Sequence, residues 1–354
     1  MVGNGITRRA LLWATGGGAL AVAAGCARLR DGPRPSLRVR YLASWGARGT
    51  DAEGTDGGGH GGGQLRGPIG IAMDDAGKLF VTDLHNARVQ RFGPDGEPCG
   101  AIPLPADMAT AYGTSASAGG IALDRAGLVY VALMASHKVV VLTRDGERVR
   151  EWGRQGGGPG ELDHPGGLAV GRDDLVYVCD QVNRRVQRFT RDGEWIDAWG
   201  SDGGEPGRFD GLEPASSRFG GPHYIALDGR GHAFTTEGAR GRIQRLSLTG
   251  VPMAAWGSKD DGPGGFGSLE TSVAQHTLGP LGIAVDARGR VWVSSFNGRV
   301  QAFSADGAYL GGFGRVGSGP GEFVTPHALL VDRDRCYVVD TGNHRVQVFA
   351  IDEP

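Results

Sequence analysis

The chain has 354 residues, 65 of them glycine, with 40% hydrophobic residues and a net charge of −2. That length allows one large domain or two ordinary ones, and abundant glycine without a Gly-X-Y period excludes collagen. Near-neutral charge lacks the basic footprint of a nucleic-acid binder, and four cysteines scattered from Cys26 to Cys336 are no disulfide framework.

The chain opens with Thr7-Arg8-Arg9-Ala10-Leu11-Leu12, a twin arginine ahead of an apolar stretch at 10–24. The stretch is shorter than the roughly 20 residues that span a bilayer and has the layout of an export signal. It resembles a twin-arginine signal. Ala23-Ala24-Gly25-Cys26 resembles a bacterial lipoprotein cleavage box, with Ala23 where Leu is usual. The resemblance implies a signal over 1–26, a lipidated Cys26 at the mature N-terminus, and a periplasmic or cell-surface protein anchored to the membrane. A plain cleaved signal ending near Ala24 is the alternative. Residues 27–36, with two prolines and four charges, read as a tether.

Residues 37–46 then form a lone strand ending in Trp45-Gly46. The same ending closes later segments at Trp152-Gly153, Trp199-Gly200, Trp256-Gly257 and Phe313-Gly314. Between these endings a three-strand pattern recurs six times. First strands end at Asp74, Asp124, Gly171, Asp228, Asp286 and Asp332, at intervals of 50, 47, 57, 58 and 46 residues. Second strands run at 78–83, 128–133, 175–180, 233–237, 291–295 and 336–340. Third strands begin at Arg88, Lys138, Arg185, Arg242, Arg299 and Arg345. β-Branched and aromatic runs between Asp, Gly and Asn clusters are the signature of strands and hairpins.

A four-stranded unit at this period predicts a propeller blade. Because the chain begins with a fourth strand and ends with a third, residues 37–46 are expected to complete the last blade and cover its edge. The expectation is an all-β, six-bladed propeller over 37–351. The Trp and Phe rings would seal neighbouring blades, with the following glycine turning the chain.

The segment from Gly153 through Asn183-Arg-Arg-Val-Gln-Arg-Phe, and Thr341-Gly-Asn-His-Arg-Val-Gln-Val-Phe349, resemble the NHL repeat. The resemblance covers about residues 37–351 and is specific for fold. Its members include ligand-binding scaffolds, RNA- or protein-binding modules and a few enzymes, so it does not settle function.

In such a blade the first strand lines the channel. The loops entering strand one and joining strands two and three share one face. That face collects Asp83, Asp180, Glu237 and Asp340, the asparagines 86, 183, 297 and 343, and Arg88, Arg185, Arg242 and Arg345. A turn Asp accepts backbone N–H bonds, so a set kept in most repeats reads first as each blade's own bracing. The alternative is a ligand-binding face.

More informative is what differs between blades. Five residues before the end of each first strand stand Ile69, Gly119, Gly166, His223, Leu281 and His327. The two histidines, each after proline, should meet at the channel mouth. This resembles the peptidylglycine amidating lyases, six-bladed propellers of NHL type whose zinc is held by three histidines on alternate blades. His223 and His327 match two of those positions, and Gly119 stands at the third. A catalytic zinc normally takes three protein ligands. His137, in the strand two–three loop of the same blade, is the candidate substitute. Tyr224, beside His223, is expected to face away by strand alternation.

His60, His85, His164, His232, His276 and His344 fall in loops or turns with no ligand spacing. Cys179 and Cys336 read as buried thiols, and Cys99 begins a fourth strand. The glycine-rich loops 156–160 and 317–321 lack the Lys-Ser/Thr and helix of a phosphate loop. No Ser-His-Asp arrangement is recognisable. The sequence therefore supports a binding scaffold for a protein, peptide, glycan or small molecule, shaped by the longer loops 47–66, 201–219 and 258–277. A lyase or hydrolase using a divalent metal such as zinc is the enzyme alternative, and a purely structural envelope protein is a third.

Overall fold

A computed structural model describes residues 37–48, 62–104, 118–210, 221–267 and 279–352. Cys26 and the rest of the N-terminal segment lie outside the described residues, as do most of the loop 47–66 and parts of the other two long loops. Pro35–Pro354 is one compact unit.

Six antiparallel four-stranded sheets follow one another. The first strands are Pro68–Met73, Ala118–Leu123, Pro165–Val170, Ile225–Leu227, Pro280–Val285 and Pro326–Asp332. In the last sheet the order is Arg38–Trp45, Arg345–Asp352, Arg335–Asp340, Pro326–Asp332. Arg38 stands opposite Asp352 and Trp45 opposite Val346, so the opening strand covers the edge of the final one. The chain is a six-bladed propeller.

Each seam between blades is apolar. Trp152 of blade two packs 5.7 Å from Phe189 of blade three, and Trp256 of blade four 6.1 Å from Phe303 of blade five. Trp45 lies 6.1 Å from Phe92, and Phe313 4.7 Å from Phe349. Tilted aromatic pairs at these spacings add to the area they bury. The next blade must bring a turn close over each indole: a Cβ on Gly193 would lie 2.7 Å from the Trp152 ring, and one on Gly307 2.7 Å from Trp256. Cys179 and Cys336 are free and buried, and Cys99 is partly buried.

A bulge sits at the start of the first strand. In blade three Pro165 faces Asp180 and Leu168 faces Val178, three steps along one strand against two along its partner. The same shift occurs in blades one, two, five and six. The bulged N–H needs a partner, and a second-strand hydroxyl supplies it: Gly70 N–H donates to Thr82 Oγ1 and Gly282 N–H to Ser294 Oγ. Those hydroxyls donate onward to the next blade, to the carbonyls of Gly119 and His327. The bulge thus fastens one blade to the next and re-aims side chains beside the channel.

Candidate functional site

The rim residues are consumed by bracing. Asp180, wholly buried, accepts hydrogen bonds from the Asp163 backbone N–H, Asn183 Nδ2, Arg185 Nε and Gln187 Nε2. Arg185 then donates to the carbonyls of Gly157, Gly158 and Glu161, holding the inter-blade loop. Asp340 repeats this set with Val324 N–H, Asn343, Arg345 and Gln347. Asp83 uses Arg66 N–H, Asn86 and Arg88, and Glu237 uses Asp210 N–H, Arg242 and Gln244. Burial outweighs these partners at Asp83 and pushes its carboxyl up to about 6. It also raises Asp180 and Glu237. In blade five Ser295 stands at the acid's position, bonding Asn297, and Arg299 reaches the Asp261 carbonyl. The four acids and their arginines therefore face one another rather than an open surface.

His223 and His327 are brought together. His223 is 2% exposed, and its backbone is fixed by its N–H donating to Thr236 O and its carbonyl accepting from Gly167 N–H. His327 is partly exposed, packs edge-on 5.9 Å from Phe296, and is close enough to His223 to feel its charge. Burial first, and His223 second, pull the His327 imidazole down to about 4. At neutral pH it is uncharged, the form that ligates metal or accepts a hydrogen bond.

Tyr224 departs from the expectation. It lines the channel and packs on both the blade four–five core and the blade six–one core, so its ring lies across the bore. Alternation predicts otherwise because it assumes an unbroken strand. Here the regular strand begins only at Ile225, and the N–H groups of His223 and Tyr224 both donate to Thr236, one to its carbonyl and one to its hydroxyl, so two residues stand against one. Blades one, two, three and five have glycine at the position of Tyr224, and blade six has Ala328. Beyond the ring lies a cavity of about 210 Å³, lined by residues such as Ile71, Ile121, Leu168, Ile283 and Leu329. None of the six residues of the histidine layer borders it. Tyr224 separates an imidazole-bearing mouth from an apolar chamber.

His137 is drawn elsewhere. Its Nδ1 lies 3.3 Å from Asp163 Oδ1 and accepts the His164 backbone N–H at 3.2 Å. His164 Nδ1 is 2.6 Å from the same Asp163 oxygen. The ligand atoms of all three residues lie within 4.8 Å of one another. Burial and the neighbouring His164 lower the His137 imidazole against the opposing pull of Asp163. The sequence reading passed over His164. The signal was available by aligning blades: Asp163-His164-Pro165 stands where blade one has Arg66-Gly67-Pro68.

A larger cavity, about 680 Å³, opens at the far ends of the first strands between blades six and one. At the next two seams Arg144 and Arg191 reach back to Asp74 and Asp124. Pro94 holds the corresponding place at this seam and leaves the space unfilled.

Residues 65–92 match the NHL repeat family. Comparison with curated proteins finds no match. Among solved structures, the chain is similar to virginiamycin B lyase from Staphylococcus aureus, at 16% identity and a TM-score of 0.54, covering 90% of this chain and 100% of that one. It is also similar to a gluconolactonase from Xanthomonas campestris, at 16% identity and TM-score 0.56 (92% and 100% covered). A third is the PQQ-bound aldose sugar dehydrogenase from Streptomyces coelicolor, at 18% identity and TM-score 0.57 (91% and 100% covered). At these identities the likeness is one of fold.

Proposed function

We propose that this propeller is a binding scaffold that seats its ligand over the channel mouth, with His223 and His327 as the polar floor of the site. The observation that carries this reading is the pairing of two imidazoles, one held neutral, above a bore that the Tyr224 ring crosses. A bore crossed by a bulky ring favours a ligand that rests on the mouth over one that threads it. The rim carboxylates, spent on bracing, leave these histidines as the polar groups of the channel layer. Ligand-observed NMR with sugar, peptide and small-molecule mixtures tests this, comparing wild type with a His223→Ala, His327→Ala double variant. Ligands that bind both proteins equally would place recognition elsewhere and defeat the proposal.

The imidazole pair also favours a second reading, a divalent-metal lyase or hydrolase. The fold suits it, since propellers named as a lyase and a gluconolactonase share it. Two imidazoles are one short of the usual three ligands of a catalytic zinc. Stoichiometric zinc lost in the double variant would support this reading, and none bound would remove it. We read residues 1–26 as an export signal and Cys26 as the acylated anchor, giving an extracytoplasmic protein. Mass spectrometry of the mature N-terminus decides this, since any first residue other than acylated Cys26 eliminates the anchor.

A further inference from the structure

We propose that His137, Asp163 and His164 form a second, separate site for a divalent transition metal of the zinc type, on the rim between blades two and three. The side chains are 13%, 21% and 19% exposed, a pocketed cluster that solvent still reaches. The two imidazoles meet edge to face with ring centres 4.8 Å apart, and both approach the same carboxylate oxygen. Tetrahedral zinc with bonds of about 2.0–2.2 Å sets its donors roughly 3.4 Å apart. The 3.3 Å between His137 Nδ1 and Asp163 Oδ1 already meets that spacing. The 2.6 Å between His164 Nδ1 and Asp163 must lengthen as a metal replaces the shared hydrogen bond. Coordination of His137 through Nδ1 takes up the lone pair that accepts the His164 N–H, so that contact is given up when metal binds.

The molecule contains its own control. At the seam between blades six and one, His344 Nδ1 accepts the Gly67 N–H at 3.0 Å, the counterpart of the contact between His137 and His164. There, Arg66 and Gly67 occupy the places of Asp163 and His164. The seam contact therefore needs only one histidine and a backbone N–H. The carboxylate and second imidazole of the other seam are additional to it. They also carry a cost: His164 has a left-handed backbone, φ 51°, at a position taken by glycine in Gly67, Gly221 and Gly279, and shared by a non-glycine residue in blade six, Thr325 at φ 49°. A non-glycine residue there is disfavoured by about 1–2 kcal/mol. A strained residue contributing the third donor of a ligand set is a common mark of a functional site. Two imidazoles with one carboxylate suit zinc and its neighbours better than calcium or magnesium, which prefer all-oxygen shells. Three protein donors leave a coordination position open to water or to a ligand.

The test uses the full chain, stripped with chelator and titrated with zinc chloride, with cobalt(II) absorption reporting coordination by nitrogen and oxygen donors. The expected result is one tightly held equivalent that persists in the His223→Ala, His327→Ala variant and in His344→Ala. His164→Gly restores the residue that blade one uses. It should weaken zinc binding more than about 100-fold, beyond the usual effect of an outer-shell partner, and leave the melting temperature of the metal-free protein unchanged or raised. Asp163→Asn should also weaken binding, because it removes the carboxylate donor. Zinc held equally by wild type and His164→Gly would overturn the proposal. So would zinc that vanishes only with His223 and His327, which would support the channel site instead, or no binding at micromolar zinc.

Discussion

The rim brackets and the bulge layer are a few residues apart on the same blades, yet they follow opposite rules. At the rim, blades one, three, four and six repeat one arrangement: a buried acid, an arginine five residues on, and a loop clamped beneath it. In the bulge layer the blades differ, running Ile69, Gly119, Gly166, His223, Leu281, His327. What is repeated holds the ring together, and what is unique to one or two blades is free to serve something else. The clearest way to break this comparison is Asp180→Ala. It strips a partly buried Arg185 of its buried carboxylate and loosens the inter-blade loop, and removing one partner of a buried pair typically costs about 3–5 kcal/mol, with the lower end expected here. Urea unfolding should show that loss, while ligand binding at the channel mouth per folded molecule stays at the wild-type level. Rim zinc is no readout here, because Asp180 also holds the Asp163 N–H. A binding defect without a stability defect would mean the brackets are a ligand face after all.

Tyr224→Ala should have the next largest effect. Truncating a buried aromatic side chain costs about 3–5 kcal/mol when the cavity stays open, and here partial access to the bore lowers the expected loss toward about 3. Its distinctive consequence is a continuous channel from the histidine mouth to the 210 Å³ chamber, which a crystal structure of the variant would show. If the neighbouring blades closed over the space, Tyr224 would be packing material and not a partition.

Much of this was legible in the chain because a propeller writes its period into the sequence six times. The spacing of first-strand Asp residues predicts the blades, and a chain that starts on a fourth strand predicts the pairing of residues 37–46. The channel histidines stood out as exceptions to a repeat. Tyr224 did not, because period-two alternation cannot see a bulge whose cause lies in the neighbouring strand and the next blade. His164 was hidden for a related reason. Its significance depends on a loop of blade two meeting the entry to blade three, so neither segment shows it alone. The brackets were foreseen as a repeated Asp–Asn–Arg set, but their reach onto the loop carbonyls is set by the fold.

Acid should sharpen the contrast between the two layers. His327 titrates near 4 in the folded protein against an ordinary 6.5. A histidine with a depressed folded value contributes stability that is complete above about 6.5 and lost as pH falls through about 4. The difference corresponds to about 3 kcal/mol at most, at 1.36 kcal/mol per unit. Asp83 has the opposite sign: raised to about 6, it contributes stability present below an ordinary carboxyl's 3.8 and lost as pH rises through 6. Unfolding of the chelator-treated protein between pH 4 and 7 should reveal the two opposing slopes. In His327→Asn the loss on acidification should shrink, leaving the Asp83 trend exposed. An unchanged profile would mean that His327 meets enough solvent to titrate normally.

The smallest effect tests how tightly the bulge layer is set. Gly167 has no left-handed backbone to protect, so only space opposes a side chain there. An added Cβ would lie 2.6 Å from Tyr224 Cα and 3.0 Å from His223 O, both backbone atoms of the next blade. Because backbone cannot step aside as a side-chain tip can, Gly167→Ala should force blades three and four apart and cost about 1–3 kcal/mol, as overpacking does. Truncating Tyr224 in the same chain should rescue only in part: it removes the 2.8 Å approach to the ring's Cδ1 but leaves the closer one to Cα. Gly157→Ala is the control: its nearest neighbour is Asn183 Oδ1 at 3.7 Å, ordinary contact, and melting should hardly move. Equal tolerance at the two positions would show that the seam yields, and that the imidazoles bound to this backbone are not rigidly placed. A clear penalty at Gly167 alone would tie the position of His223 to the closest approach between those two blades.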